Sequence, residues 1–191
     1  MRWSWTRTMC GDRTRRFFGR DRQQVMGVEP QHHGGAFVVR EFRSEDAEVA
    51  SEILLGAREA ASWSSQALAE FMRQPGAFAL TSERGGMPTG FILGRLVSDE
   101  AEVLNLAVRE QHRRQGEGRA LLVALLRRFS ESCVSRVFLE VRESNLGAIE
   151  FYEQMGFRRS GRREGYYREP QEAALVFEWA RESTTLVPNT S

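Results

Sequence analysis

The 191-residue chain contains no lysine: all 27 of its Lys and Arg side chains are arginine. That excludes a Schiff-base lysine, a lysine general base, and the GxxxxGK[ST] phosphate loop. Any phosphate must be held by arginine, by backbone N–H groups, or by both. Cysteine is nearly absent too. Cys10 and Cys133 cannot build a disulfide framework, and no CxxC is present. Both are expected as free thiols in a reducing cytoplasm. No apolar run approaches the roughly 18 residues of a membrane-spanning helix, and no continuous apolar stretch near the start marks a secretory signal. His32, His33 and His112 stand without carboxylates or cysteines at ligand spacing, so no metal site is expected.

What is present divides in two. Residues 1–35 hold seven arginines against Asp12, Asp21 and Glu29, show no periodicity, and end in His-His-Gly-Gly. This reads as an extension without a fold: a flexible tail, an organelle transit peptide, or an over-long start ahead of Met26. The rest holds 20 arginines against 23 acids. That mildly acidic balance disfavours broad nucleic-acid binding, and no membrane partner is expected. Residues 36–181 are expected to form one domain, with 182–191 a tail.

Within the domain the periodicity predicts β-α-α-β-β-β-α-β-α-β-β, an α/β (α+β) protein with a mixed sheet. The first strand covers 36–42. Ser44 ahead of Glu45 and Asp46 reads as a helix N-cap, and Ser64 as a second. Strands at 76–81 and 88–97 flank a Gly85-Gly86 turn, and a third covers 102–108. Leu121, Leu122, Leu125, Leu126 and Phe129 line a helix face. A strand at 137–141, a helix at 145–155 ended by Gly156, and strands near 157–162 and 173–179 complete the order.

The segment Arg113-Arg114-Gln115-Gly116-Glu117-Gly118 joins a strand to that amphipathic helix. Two glycines at i and i+2 permit a tight turn with N–H groups facing outward. The helix N-terminus adds partial positive charge, and arginines supply paired donors. The combination suits a pyrophosphate without lysine. Taken alone, the glycines could equally serve a sharp strand–helix turn.

About 25 residues on come Leu139-Glu140-Val141-Arg142 and Ser144-Asn145, then Ala148-Ile149, Tyr152 and Gly156-Phe157. Together with Leu104–Val108 ahead of the loop, this pattern resembles the GNAT acetyltransferase superfamily, and within it the RimI type. The resemblance implies the acyl-CoA N-acyltransferase fold, a mostly antiparallel mixed sheet flanked by helices, with acetyl-CoA as cosubstrate. It implies that Leu106, Ala107 and Val108 hold the pantetheine arm and polarise the acetyl carbonyl, an oxyanion-hole role. Arg113, Arg114, Gln115, Gly116, Glu117 and Gly118 would cradle the pyrophosphate, and Asn145 would contact the cofactor from the other side. Glu140 would be the general base and Tyr152 the acid. The acceptor implied is a protein N-terminus, that of the alanine-initiated ribosomal small-subunit protein eighteen.

Plainer readings stand beside these. Glu140 could be a surface carboxylate, Tyr152 a core aromatic, Trp63 a packing residue, and Tyr166 and Tyr167 ordinary strand residues rather than walls of a peptide slot. Glu117 departs from the family, which has an apolar residue there. A carboxylate beside a pyrophosphate is expected to weaken affinity unless it meets solvent or an arginine, so Glu117→Leu is expected to bind the cofactor at least as tightly. Acetylation of a small amine or of protein lysines, a non-catalytic cofactor-binding module, and nucleic-acid binding through residues 1–35 are the competing functions.

Overall fold

The computed structural model describes residues 36–57, 63–131 and 133–181. The extension 1–35, with Cys10, His32 and His33, and the tail 182–191 lie outside the described residues. Seven strands form one sheet: β1 Val38–Glu41, β2 Ala77–Arg84, β3 Met87–Val97, β4 Glu100–Val108, β5 Arg136–Arg142, β6 Arg158–Arg168 and β7 Gln171–Ala180. Their spatial order is β1-β2-β3-β4-β5-β7-β6, antiparallel except for the β4–β5 pair. The helices are α1 Asp46–Leu55, α2 Ser65–Phe71, α3 Glu117–Ser130 and α4 Leu146–Gln154. The expected order of elements is the order found. No helix among the described residues is long and apolar enough to cross a membrane.

Strand periodicity splits the apolar residues into two cores. Ala77, Ala79, Phe91 and Leu93 pack with α1 and α2. Phe78, Leu80 and Ile92, one step out of phase, pack with α3 and α4. Leu121, Leu122 and Leu125 of α3 are fully buried, each worth about 1.5–3 kcal/mol of transfer from water. Ser64 caps α2, accepting from the amide of Ala67 at 3.1 Å.

Two local expectations are corrected. Ser44 does not cap α1. The helix starts at Asp46, whose buried carboxylate takes the Arg43 amide at 2.7 Å and both terminal nitrogens of Arg40. The Asp46 carboxylate lies in the first turn, where a negative charge is favoured, and ties the helix start to Arg40 and to the chain before it rather than capping a helix amide. Strand β6 runs six residues beyond its expected end, because nearly every residue of it is exposed and no apolar alternation marks it.

The sheet opens at its centre. β4 and β5 pair only from Glu100–Arg136 to Val103–Leu139. At that point Leu93 faces Asn105 while Gly94 faces Val103, so Leu104 is an extra residue in β4. Such a bulge bends its strand and ends regular pairing. Gly94 makes it possible, since a Cβ there would overlap the Glu102 carbonyl and the Phe78 ring. Beyond the bulge the two strands splay, and a cleft of about 810 Å³ fills the gap.

Candidate active site

One wall of the cleft is the free end of β4, where Leu106, Ala107 and Val108 line it. Detached from β5, this end no longer spends its polar backbone groups on that neighbour. A ligand arm can take them instead.

The loop 109–116 turns from β4 into α3 through a short 3₁₀ turn, Glu110–His112. Arg114 and Gly116 have left-handed backbones, φ 59° and 88°. Gly116 is the N-cap of α3 and offers no side-chain cap, so the amides of Glu117, Gly118 and Arg119 have no intrahelical acceptor. Arg113, Arg114, Gly116, Gly118 and Arg119 line the cleft. A Cβ on Gly118 would touch Val108 and Phe151 only at ordinary contact distance. The fold itself therefore tolerates a side chain there, and the glycine keeps cleft space open. These groups suit a pyrophosphate: backbone donors, a helix N-terminus and flanking guanidinium groups.

Two members of the motif do not line the cleft. Gln115 donates its side-chain amide to the Gln111 carbonyl at 2.8 Å, which holds the loop rather than a ligand. Glu117 turns inward and is fully buried, with Arg84 Nε at 2.5 Å, the Ser82 hydroxyl at 2.7 Å and the Thr89 hydroxyl at 2.6 Å. Glu117 thus meets an arginine, the case in which its charge is not expected to weaken cofactor affinity, and Glu117→Leu would break a buried ion pair. Ser82, Arg84 and Thr89 lie about 30 residues upstream, and nothing in their spacing signals this cluster.

The opposite wall comes from β5 and α4. Asn145 caps α4, its side-chain oxygen accepting from the Ala148 amide at 3.0 Å, which leaves its Nδ2 donors for a ligand. Glu140 is the first β5 residue past the last pair with β4, and it lines the cleft with Tyr152. Tyr152 is buried edge-on against Phe151 and Phe157, at 5.1 and 5.7 Å between ring centres. Burial, with a smaller contribution from Tyr167, holds its phenol proton far more tightly than usual. Tyr152 is thus both a core aromatic and a cleft residue, and the two sequence readings are compatible.

Glu140 is surrounded by side chains from β6 and β7, of which the sequence singled out Tyr166 and Tyr167 but not Arg163 or Glu172. Arg163 Nη1 lies 2.7 Å from the Glu140 carboxylate. A hydrogen bond to Glu140 pushes the Tyr166 phenol up to about 12. Arg142, two residues along β5 and so on the same face, stacks over Tyr167 at 4.0 Å and pairs with Glu172 at 3.4 Å. It also donates to the Glu169 carbonyl at 3.2 Å, fastening the β6–β7 turn beside the cleft. Glu172 in turn accepts from the Ser144 amide at the start of α4. Tyr166 and Tyr167 do reach the cleft, as does Trp63, which also packs edge-on against Phe71 at 5.3 Å. No group of metal-binding side chains occurs among the described residues.

A family model described as Acetyltransferase (GNAT) family matches residues 39–157, a span that includes the split strands, the loop, Glu140 and Tyr152. The chain belongs to the GNAT acetyltransferase family. Within that family it is 41% identical over 90 residues to the [ribosomal protein bS18]-alanine N-acetyltransferase of Escherichia coli K12, covering 47% of this chain and 60% of that protein. The GNAT chain thus spans less than two thirds of that relative's length. It is 32% identical over 143 residues to a putative enzyme of the same name from Bacillus subtilis, covering 72% of this chain and 91% of that one. The crystal structure of the Escherichia coli ribosomal-protein-S18-alanine N-acetyltransferase superposes with a TM-score of 0.69 at 29% identity, over 79% of this chain and 99% of that one.

Proposed function

We propose that the protein transfers the acetyl group of acetyl-CoA to the N-terminal α-amine of a protein, with the alanine-initiated ribosomal small-subunit protein eighteen as acceptor. The observation that carries the reading is the arrangement of the cleft. Glu140 and Tyr152 share one wall, and Gly116 and Gly118, at the start of α3, stand at the other. The relatives named for the same acceptor support the choice of substrate.

The chemistry follows from the groups present. The loop amides and Arg113, Arg114 and Arg119 bind the pyrophosphate, and the free end of β4 receives the pantetheine arm and polarises the thioester carbonyl. An α-amine has a pKa near 7.7–8.0, so roughly a tenth of it is already neutral around pH 7 and a carboxylate suffices as base for the rest. The amine nitrogen forms a bond to the acetyl carbon as the carbon–sulfur bond breaks. Glu140 collects the proton leaving the nitrogen, directly or through one water, and Tyr152 gives its proton to the departing sulfur. Solvent restores both groups. No covalent acyl-enzyme is needed.

Thiol release from acetyl-CoA tests the reading against three acceptors: a peptide with the ribosomal N-terminal alanine, the same peptide with a blocked N-terminus, and a lysine peptide with a blocked N-terminus. Activity on the first alone is expected. Activity on the lysine peptide alone would move the acceptor to protein side chains, and release with none of them would remove the peptide-acetyltransferase reading.

A further inference from the structure

We infer that Glu117, with Ser82, Arg84 and Thr89, is a positioning device for the phosphate-binding loop, holding the start of α3 from within so that its amides stay open for the pyrophosphate. The inference rests on the function proposed above and adds a group to it that touches no substrate.

A helix start is ordinarily stabilised by a side chain at the N-cap, which accepts a hydrogen bond from the second or third amide of the helix. In a phosphate-binding loop that solution removes a donor the ligand needs. Here the N-cap is Gly116, with no side chain to compete. The stabilising carboxylate sits one residue later and points the other way. Glu117 is at the positive end of the helix, where a negative charge is favoured, yet its oxygens are engaged by β2 and β3.

Thr89 gives the arrangement its purpose, because it grips both ends of the loop. Its carbonyl accepts from the Arg109 amide at 2.7 Å where the loop leaves β4. Its hydroxyl donates to Glu117 at 2.6 Å where the loop enters α3. The two left-handed residues, Arg114 and Gly116, lie between these anchors. The network is also closed to water: Ser82, Thr89 and Glu117 are 0%, 3% and 1% exposed. Gly90 lets it pack, since a Cβ there would press on the Ser82 hydroxyl at 2.8 Å and the Ala107 carbonyl at 2.9 Å. Arg84 neutralises the carboxylate from behind, and a charge that would repel a pyrophosphate becomes an anchor for its binding site.

The test removes the buried pair together, as Arg84→Met with Glu117→Met, so that no lone charge is left inside. Ser82 and Thr89 keep each other's hydroxyls, 3.4 Å apart. Binding of coenzyme A and of pantetheine, which lacks the pyrophosphate, is measured calorimetrically alongside thermal unfolding. The double variant is expected to fold cooperatively, to bind coenzyme A about tenfold more weakly, and to bind pantetheine as the parent does. Glu117→Gln, which keeps the shape and loses the charge, is expected to fall between and covers the case in which the double variant fails to fold. Unchanged affinity for coenzyme A in the folded variants, or equal weakening toward both ligands, overturns the inference. A parent protein that binds no coenzyme A overturns the proposed function, and this inference with it.

Discussion

Arg163 Nη1 lies 2.7 Å from Glu140 Oε1, so the proposed base is already paired with a cation, and an acceptor ammonium would compete with it for the carboxylate. The pair joins the edge strand β6 to the strand that borders the cleft. Arg163 is half exposed, which makes the contact weak and exchangeable.

Arg163→Gln removes that competitor. The KM for the peptide acceptor is expected to fall roughly two- to fivefold, the range of a solvent-exposed ion pair, with the KM for acetyl-CoA unchanged. A rise in acceptor KM would show instead that Arg163 helps to bind the peptide.

Glu140→Gln and Tyr152→Phe are each expected to lower kcat by about 10²-fold, the usual size of a general acid or base effect, while the dissociation constant for acetyl-CoA stays near that of the parent. Calorimetry beside steady-state rates separates the two. Lost cofactor affinity would assign these side chains a structural role.

The Tyr152 phenol has its pKa raised by burial, and this has a sign that can be checked. In the unfolded chain the group ionises near 10. Above that pH the unfolded state releases a proton that the folded state keeps, so stability is full below about pH 10 and declines as pH rises further. Tyr152→Phe is expected to flatten that alkaline decline in urea titrations at pH 9 to 11. For the same reason the activity of the parent is not expected to drop through ionisation of Tyr152 below pH 10.

Gly94→Ala places a methyl group against the Glu102 carbonyl and the Phe78 ring. A loss of about 1–3 kcal/mol or more in unfolding free energy is expected, as for other overpacked sites. The strand register at the bulge would have to shift, so acetyl-CoA binding should weaken as well. A variant as stable as the parent would mean that the bulge relaxes freely.

Much was legible in the chain itself. The amphipathic stripe of α3, the partial alternation in β4 and the Ser64 cap are local patterns, the first two fixed by periods of 3.6 and 2 residues. The glycine-spaced loop follows from the same local rules, because φ 88° at Gly116 is a demand that one residue type meets most easily. The absence of lysine left arginine and backbone amides as the only phosphate-binding groups, and both line the cleft. The second half of β6 escaped because an edge strand exposed on both faces carries no hydrophobic alternation.

The tertiary structure decided the rest, chiefly where Glu117 points. A carboxylate in a phosphate loop reads as a defect so long as its partners are unknown. They are Ser82, Arg84 and Thr89, some 30 residues away along the chain and 2.5 to 2.7 Å away in the fold. Glu140 met Arg163, and Arg142 met Tyr167 and Glu172, through the pairing of β5, β7 and β6 in the same way. Sequence periodicity determines which face a residue takes on its own strand or helix. Which strands become neighbours depends on the packing of the whole sheet, and buried charges find their partners only there.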